Sequence, residues 1–304
     1  NCRSSFERLD NKIGRIIRNG RCNGSQRWYD GVTFHSRNTM TDRNATKTIV
    51  NEKISVCIIT GNEQKNIRRC LESVKWADEI IVVDSFSTDA TMSIVLEYTD
   101  RVYKHRWLGY IGQKAVAKSL AQCDWVLFVD ADEAVSDALR QEIADIFAKG
   151  VPEDVNGFDF PRQVWFLNKW IRHGDWYPDT KLRLFRRLKG TCGGTEPHER
   201  VDIEGTVCHL RSPLYHYTYD NIHDQIGTLN RFSSISANGI RETKNSTFYV
   251  LFGMLAHAPF RFFRCYVVKR GFLDGIPGLI IAVTAAFGTF IKYAKQWEVK
   301  LNCK

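Results

Sequence analysis

The chain of 304 residues is long enough for one large domain or two small ones, with a substantial core. Its hydrophobic and charged fractions, 43% and 25%, are those of an ordinary globular protein, and nine cysteines without a Cys-x-x-Cys pair argue against a disulfide scaffold. The net charge of +9 is concentrated in residues 1–52, with a net +5, and in residues 241–304, with a net +7. The region between them is mildly acidic, so we expect no nucleic-acid partner.

The first 52 residues are polar and basic, rich in Asn, Arg, Gly and Ser, and they have no sustained hydrophobic period. This composition predicts a flexible basic arm at residues 1–52. The segment has no apolar stretch of the kind found in a secretory signal. The first methionine, Met40, lies just ahead of the first strong strand, and we expect the native protein to begin near it.

From Lys53 the chain alternates between two hydrophobic patterns. Short apolar runs predict strands at 54–60, 79–83, 101–105 and 125–129. Apolar residues at helical spacing predict helices at 63–74, 88–98, 112–121 and 136–148. Alternation with short links predicts an α/β fold, a Rossmann-like and mostly parallel sheet with helices on both faces. Neither a dinucleotide-binding glycine motif nor a P-loop follows any of these strands.

Polar residues follow three of these strands at the point where each strand ends. Thr60 and Glu63 follow the first strand, and Asp84 follows the second. Asp130 and Asp132 follow the fourth, in an Asp-x-Asp motif that by itself is more typical of a solvated turn than of a binding site. Because parallel strands end at the same edge of a sheet, where open α/β sheets bind ligands, these residues are expected to form one site. Two aspartates one residue apart can share Mg²⁺ or Mn²⁺, which prefer oxygen ligands.

Three motifs together resemble the nucleotide-sugar half of family 2 inverting glycosyltransferases. They occur in the family's order and are Ile58-Ile-Thr-Gly-Asn-Glu63, Ala77-Asp-Glu-Ile-Ile-Val-Val-Asp-Ser-Phe-Ser-Thr-Asp-Ala-Thr91 and Asp124-Trp-Val-Leu-Phe-Val-Asp-Ala-Asp-Glu133. The resemblance implies a GT-A fold at 53–240, with a nucleotide-sugar half at 53–148 and an acceptor half at 149–240. It also implies a UDP-sugar donor and a divalent cation, Mg²⁺ or Mn²⁺, as cofactor.

The same resemblance implies a role for each residue at the strand ends. Glu63 and Asp84 would contact the uracil and ribose of the donor, and Thr60 belongs to the same cofactor-binding set. Asp130 would lie near the ribose or diphosphate and could share the metal. Asp132 would be the principal metal ligand and would act in catalysis through the metal.

Segments of the second half resemble bacterial lipopolysaccharide core β-1,4-glucosyltransferases. These segments are residues 174–179, 182–187, 196–199, 270–278 and 290–298. Members of that group add glucose to the first heptose of the inner core. The resemblance therefore implies UDP-glucose as donor, lipid A–core as acceptor, and a location on the cytoplasmic face of a bacterial inner membrane.

An inverting transferase needs a base to take the proton of the acceptor hydroxyl. Glu199 is the favoured base, and Asp175 and Glu196 are the alternatives. A carboxylate can serve if its surroundings tune its pKa. The competing interpretation is that Glu199 only forms an ion pair with a neighbouring arginine.

Two basic residues complete the predicted donor site. Lys114 opens a helix after a glycine-containing turn and could lie near a phosphate, although a solvated surface lysine shows the same pattern. Arg183 could hold the diphosphate or a phosphorylated heptose, because arginine binds phosphate through two parallel hydrogen bonds. The competing interpretation is that the segment around Arg183 is a β-strand with one solvent-exposed face.

Residues 241–304 are predicted to form a helical, membrane-associated region. The apolar run at 276–291 has sixteen residues, fewer than the ~20 that a spanning helix needs. Lys292, Lys295 and Trp297 border it, as is typical of a helix lying in the plane of an anionic membrane surface. The sequence therefore predicts a peripheral or monotopic protein, and a buried helical hairpin is the alternative.

Three other functions remain open on the sequence. One is transfer to a polyprenyl phosphate or another glycolipid. Another is a membrane-bound protein that binds a nucleotide sugar without turnover. The third is a basic nucleic-acid-binding protein, which the acidic middle of the chain disfavours.

Overall fold

The computed structural model describes residues 52–196, 198–219, 221–238 and 247–302. Nearly all of the predicted basic arm lies outside these residues. The elements up to residue 149 are β1 Ile54–Thr60, α1 Ile67–Val74, β2 Glu79–Asp84, α2 Thr91–Val95, β3 Val102–Lys104, α3 Gly109–Leu120, β4 Trp125–Asp130, β5 Glu133–Val135 and α4 Asp137–Lys149. The predicted strands and helices of this half are therefore present in the predicted order.

The elements of the second half are mostly strands, followed by helices. The strands are β6 Val155–Phe166, β7 Lys169–Trp170, β8 Asp179–Arg186, β9 Gly190–Thr195, β10 His198–Ile203, β11 Thr206–His209 and β12 Leu214–His216, with a 3₁₀ turn at Gly174–Trp176. The helical segments are α5 Ile222–Asn238, α6 Thr247–Phe252, a π-helical turn Gly253–His257, α7 Ala258–Phe263, a second π-helical turn Arg264–Val268, a 3₁₀ turn Gly271–Asp274 and α8 Ile276–Asn302.

The main sheet contains both parallel and antiparallel pairings. Its strand order is β3-β2-β1-β4-β8-β6-β12-β5, with β7 and β11 also paired to β6. The first four strands are parallel, but β8 runs antiparallel to both β4 and β6. A short connection from β6 to β8 reverses the chain without a crossover helix, which gives antiparallel pairing. The predicted α/β fold is confirmed, and outside the parallel group β3-β2-β1-β4 strand β6 also pairs in parallel with β11 and β12.

The core explains why the central strands have no polar face. Along β1, Val56 and Ile58 pack into one buried cluster with α1 and α4, whereas Cys57 and Ile59 pack into a second cluster with α3. Successive side chains of a strand point to opposite faces, so a strand covered on both sides must be apolar throughout. The sheet therefore has helices on both faces, as predicted.

The register brings the predicted strand ends together. Thr60 is paired with Asp84 across β1 and β2, and Ile59 is paired with Asp130 across β1 and β4. The carboxyl ends of the three strands thus form one edge of the sheet. The side chains that follow these ends are placed within reach of one ligand.

The C-terminal helices pack against the far end of β6. Val164 and Phe166 share a buried cluster with Cys265 and Ile281. Helix α8 has 27 residues, longer than the apolar run of sixteen that the sequence predicts. Beyond the apolar run, the Lys295 ammonium donates hydrogen bonds of 2.6–2.8 Å to side-chain oxygens of Asn230, Ser233 and Ser234 on α5. By length and composition α8 could cross a membrane, although a core helix of a soluble protein can pass the same test.

Candidate active site

Asp130 lies at the end of β4 between two cations. Its Oδ1 is 2.8 Å from Lys114 Nζ, and its Oδ2 is 2.7 Å from an Nη2 nitrogen of Arg183. Helix α3 supplies Lys114, and the antiparallel strand β8 supplies Arg183. Both basic side chains are buried, with 4% and 5% of their surface exposed, so their charges act in a medium that screens weakly.

Glu199 reaches the same two cations from a separate hairpin. Its Oε1 is 2.7 Å from Lys114 Nζ and 3.4 Å from Arg183 Nη1. In the β9–β10 hairpin Glu199 is paired with Gly194, which has a φ of +101°. A Cβ at Gly194 would lie 2.5 Å from the carbonyl oxygen of His198, so only glycine lets the hairpin bring Glu199 this close.

The cations set the ionisation of both carboxylates. Burial raises the pKa of Asp130, but Arg183 and Lys114 outweigh burial and hold that pKa well below its usual range. Burial likewise raises the pKa of Glu199, and Lys114 with Arg183 reverses the shift, so its pKa is lowered. Both side chains are therefore ionised at neutral pH, and Glu199 is in the form that can accept a proton.

Glu133 and Arg162 also belong to this network, and the sequence analysis assigned neither. Glu133 Oε2 accepts a hydrogen bond of 2.9 Å from the backbone nitrogen of Asp130, and its Oε1 lies 3.3 Å from Arg162 and 3.4 Å from Arg183. Arg162 in turn binds Asp179 at 2.7 Å. Glu133 directly follows the Asp-x-Asp motif, and this position is the sequence feature that could have identified it as a site residue. No local pattern marks Arg162.

Asp132 lies beside the network and pairs with a histidine instead. Its Oδ2 is 3.1 Å from His216 Nε2, and its backbone oxygen accepts a hydrogen bond of 2.8 Å from the Tyr217 nitrogen. Strand β12 positions His216 by pairing it with Glu133 of β5. Burial raises the pKa of Asp132, but His216 outweighs it and the pKa is lowered. His216 is far from the motif in the chain, so the sequence offered no signal for it.

Asp132 and His216 have the donor atoms that suit a divalent cation. A carboxylate suits Mg²⁺ or Mn²⁺, and an imidazole is a common second ligand. Both oxygens of Asp130 already lie against cations, which makes Asp130 the poorer ligand of the pair. Within the described residues no group of three or more His, Cys, Asp or Glu side chains could hold a metal. The remaining positions of such an ion would fall to water and a bound phosphate.

The other predicted donor-site residues lie at the ends of β1 and β2. Asp84 is buried and accepts hydrogen bonds from the Ser87 nitrogen at 3.1 Å and the Ser87 hydroxyl at 2.5 Å. Glu63 Oε2 accepts a hydrogen bond of 3.1 Å from the Asn66 side chain. Thr60 Oγ1 is buried and has no hydrogen-bond partner among the described residues. A buried hydroxyl without a partner is costly unless a ligand or water completes it.

The two alternative bases lie elsewhere. Glu196 Oε1 accepts a hydrogen bond of 2.9 Å from the Ile111 nitrogen, in the first turn of α3. Asp175 lies against basic residues of the C-terminal region. Of these three carboxylates, Glu199 is the one that joins the network around Asp130. A cavity of about 180 Å³ lined by Lys114, Arg183 and Glu199, among others, opens beside it.

The chain is similar to known glycosyltransferases over most of its length. The profile of Glycosyl transferase family 2 matches residues 55–201. An uncharacterized glycosyltransferase of Rickettsia felis is 33% identical over 265 residues, covering 83% of this chain and 92% of the relative. The lipopolysaccharide core biosynthesis glycosyltransferase LpsC of Rhizobium meliloti is 30% identical over 253 residues, covering 81% and 92%.

Solved structures of two glycosyltransferases are more distant. The mannosyltransferase PcManGT of Pyrobaculum calidifontis, in complex with GDP-Man and Mn²⁺, is 15% identical with a TM-score of 0.45, covering 82% of this chain and 88% of that one. S. aureus TarS residues 1–349, in complex with UDP-GlcNAc, is 14% identical with a TM-score of 0.40, covering 82% and 92%. The family profile and the two sequence relatives confirm the family that the motifs predict: this chain is a member of glycosyltransferase family 2.

Proposed function

We propose that this protein transfers a sugar, glucose from UDP-glucose, to a heptose of the lipopolysaccharide inner core, with inversion at the anomeric carbon. One observation carries the proposal. Glu199 and Asp130 come from separate elements and share the cations Lys114 and Arg183, with Asp132 beside them. A base and the diphosphate end of a donor site are thereby next to each other, as direct displacement requires.

The donor would bind along the edge formed by the strand ends. Glu63, Asp84 and the unpartnered hydroxyl of Thr60 would contact the uridine. Asp132 and His216 would hold a divalent cation, which when bound neutralises the departing diphosphate. Lys114 and Arg183 lie on the Asp130 side, where they can add positive charge near the phosphates.

Glu199 would act as the base. Its Oε1 contacts both cations, so we assign the acceptor proton to Oε2. The acceptor oxygen forms a bond to the anomeric carbon while the bond from that carbon to the diphosphate oxygen breaks. The hydroxyl proton passes to Glu199, and attack opposite the leaving group inverts the configuration.

The acceptor and location rest on two further observations. A relative covering most of the chain is named for lipopolysaccharide core biosynthesis, which supports a lipid A–core acceptor. The apolar helix α8 and the net +7 of residues 241–304 support association with an anionic membrane surface. We therefore infer a peripheral or monotopic protein on the cytoplasmic face of a bacterial inner membrane.

A panel of UDP-sugars with extracted core lipid tests the proposal. We expect Mg²⁺- or Mn²⁺-dependent UDP release and sugar transfer with UDP-glucose. Asp132→Ala should abolish transfer, whereas Asp145→Ala, which removes an exposed carboxylate on α4, should leave it unchanged. Transfer to a polyprenyl phosphate but not to core lipid would overturn the proposed acceptor. Donor binding without UDP release would overturn the enzyme assignment, and full activity of Asp132→Ala would overturn the role of the metal.

A further inference from the structure

Three basic side chains of the C-terminal region converge on one carboxylate. The Asp175 carboxylate oxygens lie 2.7 Å from Arg261 Nε, 2.9 Å from Arg264 Nη2 and 3.0 Å from Lys269 Nζ. The four groups carry a net charge of +2. The Asp175 side chain is only 3% exposed, whereas the three cations keep 37–42% of their surface exposed. This cation cluster therefore presents uncompensated positive charge to the solvent.

The loop that carries Asp175 is fixed against the C-terminal region by backbone contacts. The nitrogen of Gly174 donates a hydrogen bond of 2.9 Å to the carbonyl oxygen of Lys269. A Cβ at Gly174 would lie 3.2 Å from Cys265 Sγ, and the residue has a φ of +77°. Asp274 Oδ2 accepts hydrogen bonds from the nitrogens of Arg172 and His173, at 3.0 and 2.8 Å. The cation cluster is therefore held by the fold rather than by flexible side chains alone.

An exposed apolar row runs beside the cluster. Phe260, Phe263 and Val267, at intervals of three and four residues, are 61%, 51% and 45% exposed. Such intervals place side chains on one face of a helix. Arg261 and Arg264 each follow a member of this row by one residue, which is about 100° further around the helix, so the two arginines lie on an adjoining face. This combination of apolar and basic rows is typical of helices that lie at a membrane interface.

We propose that Arg261, Arg264 and Lys269 form a phosphate-binding site for the headgroups of anionic phospholipids, while the adjacent apolar row enters the interfacial region of the bilayer. Guanidinium groups bind phosphate oxygens through paired hydrogen bonds, and the surplus charge of the cluster fits a phosphodiester. The exposed aromatic residues favour a bilayer over a soluble phosphate compound. The inference deepens the proposed membrane association and rests on it.

The position of the cluster also has a consequence for the acceptor. The loop that supplies Asp175 leads directly into β8, which carries Arg183 of the active site. Binding of a headgroup at the cluster would hold this side of the protein at the membrane. A lipid-linked acceptor would then meet the site without leaving the bilayer.

Flotation of the full chain with vesicles tests the site. The vesicles are phosphatidylcholine with or without phosphatidylglycerol. We expect the triple variant Arg261→Gln, Arg264→Gln and Lys269→Gln to bind the anionic vesicles on the order of 100-fold more weakly, at about fivefold per charge. The matched control removes three exposed basic residues that lie outside the C-terminal region, Arg140→Gln, Lys149→Gln and Lys189→Gln, and should bind like the wild type.

Two further measurements separate the proposal from misfolding and from failure of the proposed function. Arg264→Gln alone, with an unchanged thermal melting curve, should bind about fivefold more weakly and show less salt sensitivity. Vesicle binding is measured without sugar transfer. The headgroup site can therefore be supported even if the protein shows no transferase activity. Wild-type binding by the triple variant would overturn it. An equal loss of vesicle binding in the control variant would also overturn it. So would a triple variant that still binds vesicles but no longer binds phosphorylated soluble acceptors.

Discussion

The active-site network and the cation cluster use the same residue types in different proportions and at different depths of burial. In the network, two buried cations, Lys114 and Arg183, are shared by three carboxylates. In the cluster, one buried carboxylate, Asp175, is shared by three partly exposed cations. Arg162 also pairs with Glu133, so the network has as many cations as carboxylates, whereas the cluster has an excess of positive charge.

This difference indicates what each region can bind and how much each contact matters. The Asp132 carboxylate, which lies beside the balanced network, suits a cation, and the excess guanidinium and ammonium groups of the cluster suit a phosphate. Burial also separates the two regions. Removing one partner of a buried pair leaves an uncompensated charge, whereas removing one of several exposed cations leaves the remaining groups solvated. Substitutions in the network should therefore have the larger effects.

The largest effect is expected for Arg183→Met. The substitution leaves Asp130 and Glu133 buried without their shared partner, which should lower the free energy of unfolding by about 3–5 kcal/mol. Urea denaturation measures this as a lower midpoint at an unchanged slope. Arg68→Met is the matched control, because it removes an arginine from an exposed pair with Glu97. An equal loss in both variants would show that burial does not govern the network.

Glu199→Gln should produce the next largest effect. Loss of the base is expected to reduce kcat about 10²- to 10³-fold, with the KM for the donor little changed. The replacement has nearly the same shape, so the fold should persist. Glu196→Gln, in the same hairpin region, should change kcat less than about tenfold if it only supports the first turn of α3. The opposite ranking would make Glu196 the base.

The polar edge of the sheet could be predicted because each of its residues follows directly in the chain after the strand that positions it. Each apolar strand is followed by its own polar residues, and parallel pairing then brings Thr60, Asp84 and Asp130 to one edge. The mixed sheet was not predicted, because the insertion of β8 between β4 and β6 depends on pairing between distant segments. Periodicity within each segment carries no information about which strand becomes its neighbour.

The partners of the active-site residues were harder to predict for the same reason. His216 reaches Asp132 only through the pairing of β12 with β5. Asp175 is a second example. The sequence offers it as an alternative base, but the three cations that contact it come from the distant C-terminal region. The roles of single polar residues were predictable only where neighbouring strands determine them.

Lys114→Met tests the electrostatic coupling within the network. Lys114 lowers the pKa of Glu199, and a base is active when deprotonated, so activity is lost as the pH falls through that pKa. Without Lys114, the stronger of the two charges that oppose burial is lost, so the pKa of Glu199 rises and the acid limb of kcat/KM should move to higher pH. A pH profile measured at saturating cation separates this shift from weaker donor binding. An unmoved acid limb would contradict the assignment of Glu199 as the base.

The smallest effect is expected for Lys269→Gln in the cation cluster. Two arginines remain around Asp175, and the lysine side chain is 42% exposed, so the unfolding midpoint should be nearly unchanged. Binding to phosphatidylglycerol vesicles should weaken about fivefold, since each basic residue near an anionic surface contributes about 1 kcal/mol. Lys114→Gln makes the same replacement in the network and should lower the unfolding midpoint clearly. If Lys269→Gln destabilised the fold as much as Lys114→Gln, the cluster would be structural, and its charge excess would not be available for a lipid.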